Sequence, residues 1–212
     1  MKTLLLYLAA LCIFLNVKAQ SKNSAPATTL PVIFQSKLDQ AKMQFKKSDG
    51  MTEVPLISNP TMHYEYALKV PKTDVEIRYS IWPLTKDLFD AYDRRQKKNG
   101  DSVLHPNKIH KLVAATAISK MSGTISPGQV VLRPFNPKNV KKDFNADNGY
   151  MYSGQIASSF GQDNTFSFMV ILHKDNIADA YIIYLFKNEG TMLDAFAEIS
   201  ENDKIFKALT FK

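Results

Sequence analysis

The chain has 212 residues, of which 45% are hydrophobic and 22% charged, with 27 lysines and arginines against 20 aspartates and glutamates. This length allows one domain that buries about 70% of its unfolded surface, enough for a stable core without disulfides. The single cysteine, Cys12, lies in the apolar N-terminal run. Removal of that run would therefore exclude disulfides, thiolate catalysis and cysteine-ligated zinc.

Residues 1–19 have the three regions of a cleavable secretory signal peptide. Lys2 supplies the positive charge, and residues 4–15 form an apolar run that is shorter than the roughly 20 residues of a stable membrane span. Val17 and Ala19 then occupy the two positions that a signal peptidase recognises before the cut. We therefore expect an exported protein.

Cys12 is not expected to carry a lipid. A lipidated cysteine normally follows a small residue at the cleavage point, whereas Leu11 precedes Cys12 and the apolar run continues beyond it. The sequence thus predicts a periplasmic or secreted protein that is not lipidated and begins at Gln20.

The processed chain is predicted to have a flexible leader followed by one domain. Residues 20–32 are rich in Ser, Ala, Thr and Pro and read as the leader, which leaves residues 33–212 as a single α+β domain. Residues 33–47 have four apolar side chains at helical spacing, which predicts an amphipathic helix. They are Phe34, Leu38, Ala41 and Phe45.

An antiparallel hairpin is the clearest strand signal in the chain. Residues 63–70 and 75–82 alternate between apolar and polar side chains, and residues 71–74 join them. The alternation predicts a hairpin with one buried face. Pro83 ends it, because proline has no N–H for the ladder.

Two helices are predicted next, over residues 87–98 and 107–121. The second has an apolar stripe and is closed by Gly123. Its stripe consists of Ile109, Leu112, Val113, Ala117 and Met121. Residues 124–149 are predicted to form a long loop with one short strand near residues 130–133.

The last third predicts three antiparallel strands and a helix. The strands cover residues 150–160, 165–173 and 178–187, and Thr191 is predicted to cap the helix. Residues 180–186 are apolar at every position, which is typical of a central strand covered on both sides. The predicted fold class is therefore α+β, with a single antiparallel β-sheet and helices packed on both faces.

This order of elements, ending with residues 206–211, resembles the PsbP-like (DcrB-like) α/β/α sandwich superfamily. The resemblance covers about residues 34–212 and implies a non-catalytic accessory or binding role, but it transfers no functional residue. The sequence departs from the superfamily after the first helix, where residues 48–51 replace the common Pro-x-Gly-Phe. The chain is also similar to exported bacterial families of unassigned function.

The four histidines predict no metal site. His105 and His110 are five residues apart with Pro106 between them, which breaks the i, i+4 spacing of helical metal ligands. His63 and His173 fall at strand ends, where exposed histidines are common.

Asp143, Asn145 and Asp147 alternate as in a calcium loop, but the loop's glycine and final carboxylate are missing, which favours a polar turn.

Neither a Gly-x-Ser-x-Gly elbow nor a phosphate-binding glycine loop is present, so we predict no catalytic residue and no cofactor. A secreted or periplasmic hydrolase with an unrecognised pocket remains the alternative. Outward-facing aromatic residues of the strands could also line a carbohydrate surface.

Basic residues are concentrated in the first two thirds of the mature chain, where residues 20–142 hold 20 basic and 10 acidic side chains. The leading hypothesis is a non-enzymatic accessory or binding protein of the bacterial cell envelope, with an anionic envelope component or a protein as partner. The candidate residues are Arg94, Arg95, Lys97, Lys98, Lys138, Lys141 and Lys142. An ordinary solvated surface is the competing interpretation. Nucleic acid is not expected, because the clusters lack interleaved aromatic residues.

The signal peptide makes a direct prediction about the mature protein. Intact mass of protein recovered from the native host should match a chain that starts at Gln20, free or cyclised to pyroglutamate. Recovery of a lipid on Cys12 would contradict both the cleavage site and the absence of an anchor.

Overall fold

The structure is a computed structural model that describes residues 30–58, 61–99 and 103–212. The predicted signal peptide and most of the predicted leader lie outside these residues. In chain order the elements are α1 (Val32–Gln40), β1 (Met43–Phe45), β2 (Thr52–Glu53), β3 (Tyr66–Lys69), β4 (Glu76–Pro83), α2 (Lys86–Asn99), α3 (His110–Ser122), β5 (Arg133–Pro134), α4 (Pro137–Phe144), β6 (Asn148–Gln155), α5 (Ser158–Gly161), β7 (Phe166–Lys174), β8 (Ala178–Phe186), α6 (Glu189–Glu201), α7 (Asp203–Phe206) and β9 (Leu209–Phe211). Short 3₁₀ turns at Pro106–Lys108 and Pro127–Gln129 precede α3 and β5. Among the described residues, no helix is both long enough and apolar enough to cross a membrane.

The fold is α+β, as the sequence predicts, but it has two sheets. Seven antiparallel strands form the main sheet in the order β2-β3-β4-β8-β7-β6-β5, and β1 pairs with β9 in a separate two-stranded sheet. The prediction of a single sheet is therefore wrong. It failed because the residues of β1 were predicted to continue the first helix, and those of β9 were not predicted to form a strand.

The β7–β8 hairpin is the centre of the main sheet, and the core covers both of its faces. On one face, Ile183 belongs to a cluster of buried residues that includes Ala114 and Ile118 of α3. On the other face, the Phe168 ring of β7 meets the Phe196 ring of α6, with ring centroids 4.9 Å apart. The main sheet thus has helices on both faces.

The first helix is shorter than the sequence pattern predicts. It ends at Gln40, and Lys42 then adopts a left-handed backbone conformation with φ of 50°. That turn reverses the chain into β1, whose residue Phe45 pairs with Leu209. Phe45 keeps its helical spacing from Phe34 in sequence but reaches the same aromatic cluster from a strand, with the two ring centroids 5.3 Å apart.

The hairpin of β3 and β4 is confirmed, but its single buried face is not. Arg78 and Ser80 of β4, predicted to face outward, are 1% and 0% exposed. The Arg78 guanidinium donates to Glu76 at 2.6 Å and to the Phe160 carbonyl at 2.9 Å. Phe160 belongs to α5, so a second layer covers this face. Two guanidinium nitrogens of Arg78 are thereby paired inside the protein, while Nη2 is buried without a hydrogen-bond partner among the described residues.

Residues 124–149 are not a long loop. Asn136 caps α4 by accepting the Lys138 N–H at 2.9 Å, and Val140 and Phe144 are buried. The predicted strand near residues 130–133 is β5, shifted to Arg133–Pro134.

Two details of the other helices also differ from the prediction. Gly123 closes α3 in the left-handed conformation as predicted, but Leu112 of the predicted stripe is 52% exposed. At α6, Asn188 rather than Thr191 is the capping residue, because its side-chain oxygen accepts the Thr191 N–H at 2.9 Å.

The double-sided core predicts the cost of truncating β8. Ile182 and Ile183 point to opposite faces and are 1% and 0% exposed, so Ile182→Ala and Ile183→Ala should each lower the free energy of unfolding by about 2–5 kcal/mol in a urea titration. Ile33→Ala is the matched control, because Ile33 is 64% exposed and should change stability little. A neutral result at Ile182 or Ile183 would contradict coverage of that face.

Glu65 is a buried carboxylate that faces no lysine or arginine at salt-bridge distance within the part of the chain that the structure describes. Its carboxylate accepts the Ile81 N–H at 3.0 Å, and His63 lies 3.8 Å away. Burial raises the pKa of Glu65 above its ordinary value, although the Ile81 hydrogen bond and the His63 charge oppose that rise.

Because the folded protein holds this proton more tightly than the unfolded chain, Glu65 stabilises the fold fully below its ordinary pKa of 4.5. That contribution is lost as the pH rises through the higher folded-state pKa. Glu65→Gln keeps an acceptor for the Ile81 N–H but cannot ionise. The stability of the variant relative to the wild type should therefore increase between about pH 4 and about pH 7 in urea titrations. A difference that stays constant with pH would contradict this assignment.

Candidate functional site

A polar pocket lies at the end of the main sheet where the β7–β8 turn is found. β4 ends there with Pro83 opposite Ala178, and β6 begins there with Asn148 opposite His173. The cavity has a volume of about 770 Å³, which is within the usual size of small-molecule sites. Its lining consists of Tyr92, His105, Asn107, Lys108, His110, Lys111, Asn148, Tyr150 and Asp175.

Hydrogen bonds fix the wall that precedes α3. The Asn107 side-chain amide donates to Asn176 Oδ1 at 3.1 Å, and the Asn176 N–H donates back to Asn107 Oδ1 at 3.0 Å. The 3₁₀ turn before α3 is thereby fastened to the β7–β8 turn. One helical turn later, the Lys111 ammonium lies 4.6 Å from the centre of the Tyr150 ring, a cation–π contact that holds this charge at the pocket.

Helix α2 supplies the second wall. The Tyr92 ring meets the His105 ring edge-on at 4.8 Å between centroids, and Phe89 lies 5.8 Å from the same ring. His105 Nδ1 accepts the Asn107 N–H at 3.2 Å, so His105 is held by its own turn and by α2.

A buried group of histidine and aspartate side chains lies beside this pocket. His173 and Asp179 are paired in the β7–β8 register, and His173 Nδ1 lies 2.6 Å from Asp179 Oδ1. The other ring nitrogen, Nε2, lies 2.9 Å from Asp175 Oδ1. The His110 ring stacks on the His173 ring with centroids 4.2 Å apart. His110, His173 and Asp179 are 5%, 0% and 2% exposed.

His173 is held in its protonated form. Both of its ring nitrogens face carboxylate oxygens, and only the imidazolium can donate on both sides. Burial lowers the pKa of His173, but the hydrogen bonds and negative charges of Asp179 and Asp175 outweigh burial and raise the pKa above its ordinary value.

His110 is the neutral partner of the stacked pair. Burial and the adjacent His173 charge lower the pKa of His110. His110 Nδ1 lies 3.1 Å from the Asn107 carbonyl, which can only accept, so Nδ1 carries the hydrogen. Nε2 therefore has a lone pair, and that atom is buried without a hydrogen-bond partner among the described residues.

The described lining of the pocket is polar and carries both positive and negative charge. It has two lysines, which only donate, one carboxylate, which accepts, and two histidines, two asparagines and two tyrosines, which can do both. It contains no serine, threonine or cysteine, so it gives the hydrolase alternative no hydroxyl or thiol nucleophile of those kinds.

The predicted basic residues lie on helices around this end of the sheet. Arg94, Arg95, Lys97 and Lys98 are on α2, whose Tyr92 lines the pocket. Lys138, Lys141 and Lys142 are on α4 rather than in a loop, and Lys141 is paired with Asp147 at 3.1 Å. None of the seven belongs to the described pocket lining.

The histidine group was missed from the sequence. His173 was expected to be an exposed residue at a strand end, which is wrong, because it is fully buried. Sequence spacing between His105 and His110 also proved uninformative, because the partner of His110 comes from a strand more than sixty residues later along the chain.

No family model matches the chain, and no curated protein matches it either.

Proposed function

We propose that the protein is an exported, non-enzymatic binding protein of the bacterial envelope whose pocket takes a small organic anion with hydroxyl groups. One observation carries this proposal: Lys108 and Lys111 line a pocket whose one described carboxylate, Asp175, already faces His173 Nε2 at 2.9 Å. The lysine charges therefore exceed the negative charge available to them inside the pocket. A carboxylate or phosphate group would supply the missing partner.

Hydroxyl groups are favoured by the rest of the lining. Asn148 offers an amide donor and acceptor, and Tyr92 and Tyr150 offer phenolic oxygens beside aromatic faces. Such a combination suits a sugar acid or sugar phosphate, whose polar edge bonds to amides and whose ring packs on aromatic side chains.

The charge of the whole protein supports an anionic ligand. The formal net charge is +7 for the full sequence and falls to +5 without Lys2 and Lys18 of residues 1–19, and α2 has four basic residues within two turns after Tyr92. Exposed charge of one sign raises the local concentration of an oppositely charged ligand and its rate of association. The basic part of α2 is thus proposed to attract the anion towards the pocket rather than to bind it directly.

The PsbP-like resemblance points to the same class of function. Helices on both faces of the main sheet support it, whereas the separate β1–β9 sheet is a departure from a simple sandwich. The proposed role remains non-catalytic, in keeping with what that resemblance implies.

The pocket lysines provide the principal test. Calorimetric titration at low ionic strength should show binding of glucuronate or glucose 6-phosphate and no binding of uncharged glucose. The double variant Lys108→Gln, Lys111→Gln should weaken that binding by about tenfold or more, because a charge-assisted hydrogen bond contributes about 1.5–3 kcal/mol.

Lys120→Gln is the matched control, because Lys120 is exposed on α3, the helix that also carries Lys111, and lines a different cavity. It should leave both affinity and melting temperature unchanged. Absence of binding by either anion, or equal weakening by Lys120→Gln, would contradict the proposal.

The basic surface of α2 makes a separate prediction about salt. The fourfold variant Arg94→Gln, Arg95→Gln, Lys97→Gln, Lys98→Gln should slow association at low salt and reduce its salt dependence, with little effect on thermal unfolding. The reason is that exposed charges act over a Debye length of about 8 Å at physiological ionic strength. If the association rates measured by stopped flow are unchanged, α2 has no steering role.

Salt-sensitive binding of anionic phospholipid vesicles that needs these four residues of α2 but not Lys108 and Lys111 would instead identify a membrane surface as the partner.

A further inference from the structure

We infer that His110, His173 and Asp179 form a binding site for one divalent transition-metal ion. The three residues come from three elements, the first turn of α3, the end of β7 and the start of β8. Their ligand atoms all lie within 4.8 Å of one another, and all three side chains are buried. The inference does not depend on the anion-binding function, since no pocket lysine takes part.

The unused lone pair of His110 is the first observation that points to a metal. Its Nδ1–H is held by the Asn107 carbonyl at 3.1 Å, which leaves the buried Nε2 as an acceptor without a donor. A buried polar atom without a partner is costly and is rare in folded proteins. Metal-ligating histidines commonly donate one ring N–H to a backbone carbonyl while the other nitrogen binds the ion. His110 has that hydrogen bond to the Asn107 carbonyl and keeps the other nitrogen unbonded among the described residues.

The donor types and charges select the class of ion. Two imidazoles and one carboxylate are typical ligands of zinc and neighbouring transition metals, whereas calcium and magnesium prefer oxygen alone. Asp175 adds a second carboxylate 2.9 Å from His173 Nε2. A divalent ion that replaces the His173 proton would balance both carboxylates, so the ion and the four side chains together would carry no net charge.

Binding requires the His173 ring to turn out of its stack on His110, because two rings only 15° from parallel cannot direct their in-plane lone pairs at one ion. The ligands must also close around that ion. Metal–ligand bonds of about 2.0–2.2 Å place tetrahedral ligands roughly 3.3 Å apart, which is closer than the widest present separation of 4.8 Å. The ion can enter from the polar pocket, because His110 and Asp175 both line it. The Asp175 side chain is 55% exposed and is the group of the four with most room to move.

Zinc binding by the untagged full chain tests the site. After treatment with a chelator, the protein should bind one equivalent of Zn²⁺ in a competition assay with a chromophoric chelator. Co²⁺ in its place should give the strong visible absorption of a four-coordinate nitrogen–oxygen site. His110→Gln should weaken Zn²⁺ binding by about 100-fold or more, since even outer-shell substitutions cost about 10–100-fold.

His105→Gln and His63→Gln are the matched controls. His105 lines the same pocket and His63 is exposed, but neither belongs to the group, so both variants should bind Zn²⁺ as the wild type does. No stoichiometric binding by the wild type would overturn the inference. Binding that survives His110→Gln, or that is lost with His105→Gln or His63→Gln, would also overturn it, because the ion would then sit on the surface.

A measurement on the wild type keeps the test independent of how well His110→Gln folds. Two-bond ¹H–¹⁵N spectra of the histidine rings should show Zn²⁺ shifting one ring nitrogen each of His110 and His173, while the rings of His63 and His105 stay unchanged. Shifts confined to His63 or His105 would overturn the site.

Discussion

The side chains on both faces of the β7–β8 hairpin must be shielded from water, and the rest of the structure follows from that constraint. Almost every side chain of the two strands is buried, including large aromatic groups such as Tyr181 and Tyr184. A strand that is apolar on both sides must be central, so strands flank it in the plane and helices cover it above and below. Helix α3 provides one cover, and α1, α6 and α7 provide the other.

The polar site is found where this apolar hairpin ends. His173 and Asp179 form the next pair of the same ladder. They are therefore buried like the rest of the two strands, although their side chains are polar. A buried charge is stable only with a partner, which explains the two carboxylates on His173. The same packing brings His110 against His173, because α3 covers the face on which their rings meet. The group is therefore enclosed by the sheet and α3 on the inside and borders the polar pocket through His110 and Asp175.

How far the sequence predicts this fold depends on whether a pattern is local. Strands β7 and β8 and helix α2 were predicted nearly correctly, because their patterns are complete within each segment. The strand predicted over residues 150–160 was too long, since β6 ends at Gln155 and α5 follows it. Helix α4 was missed, since its buried face consists of only Val140 and Phe144 among lysines and a proline. The end of α1 was misplaced because the spacing of Phe45 fits a helix as well as it fits the strand that β9 makes possible.

The site was less predictable than the fold. His173 and Asp179 are six residues apart around a short turn, a spacing that predicts a cross-strand pair if the turn is taken as residues 175–177. The predicted strands leave residues 174–177 as the turn, one residue longer than the observed turn. His173 is then predicted to pair with residue 178 instead of Asp179, so the contact between His173 and Asp179 was not predicted. No spacing could place His110 beside them, because α3 reaches the sheet through tertiary packing alone.

The small β1–β9 sheet ties the beginning of the described domain to its last residue. Met43 pairs with Phe211, and the Lys212 N–H donates to the Lys42 carbonyl at 2.8 Å. Synthesis proceeds from the N-terminus, so β1 is made more than 160 residues before its partner strand β9. Pairing of β1 with β9 closes a loop that is about as long as the domain. The conformational entropy lost in closing this loop therefore opposes a late step of folding. The β1–β9 sheet can therefore form only after residues 209–211 have been synthesised, and until then the edge of β1 has no partner in the described domain.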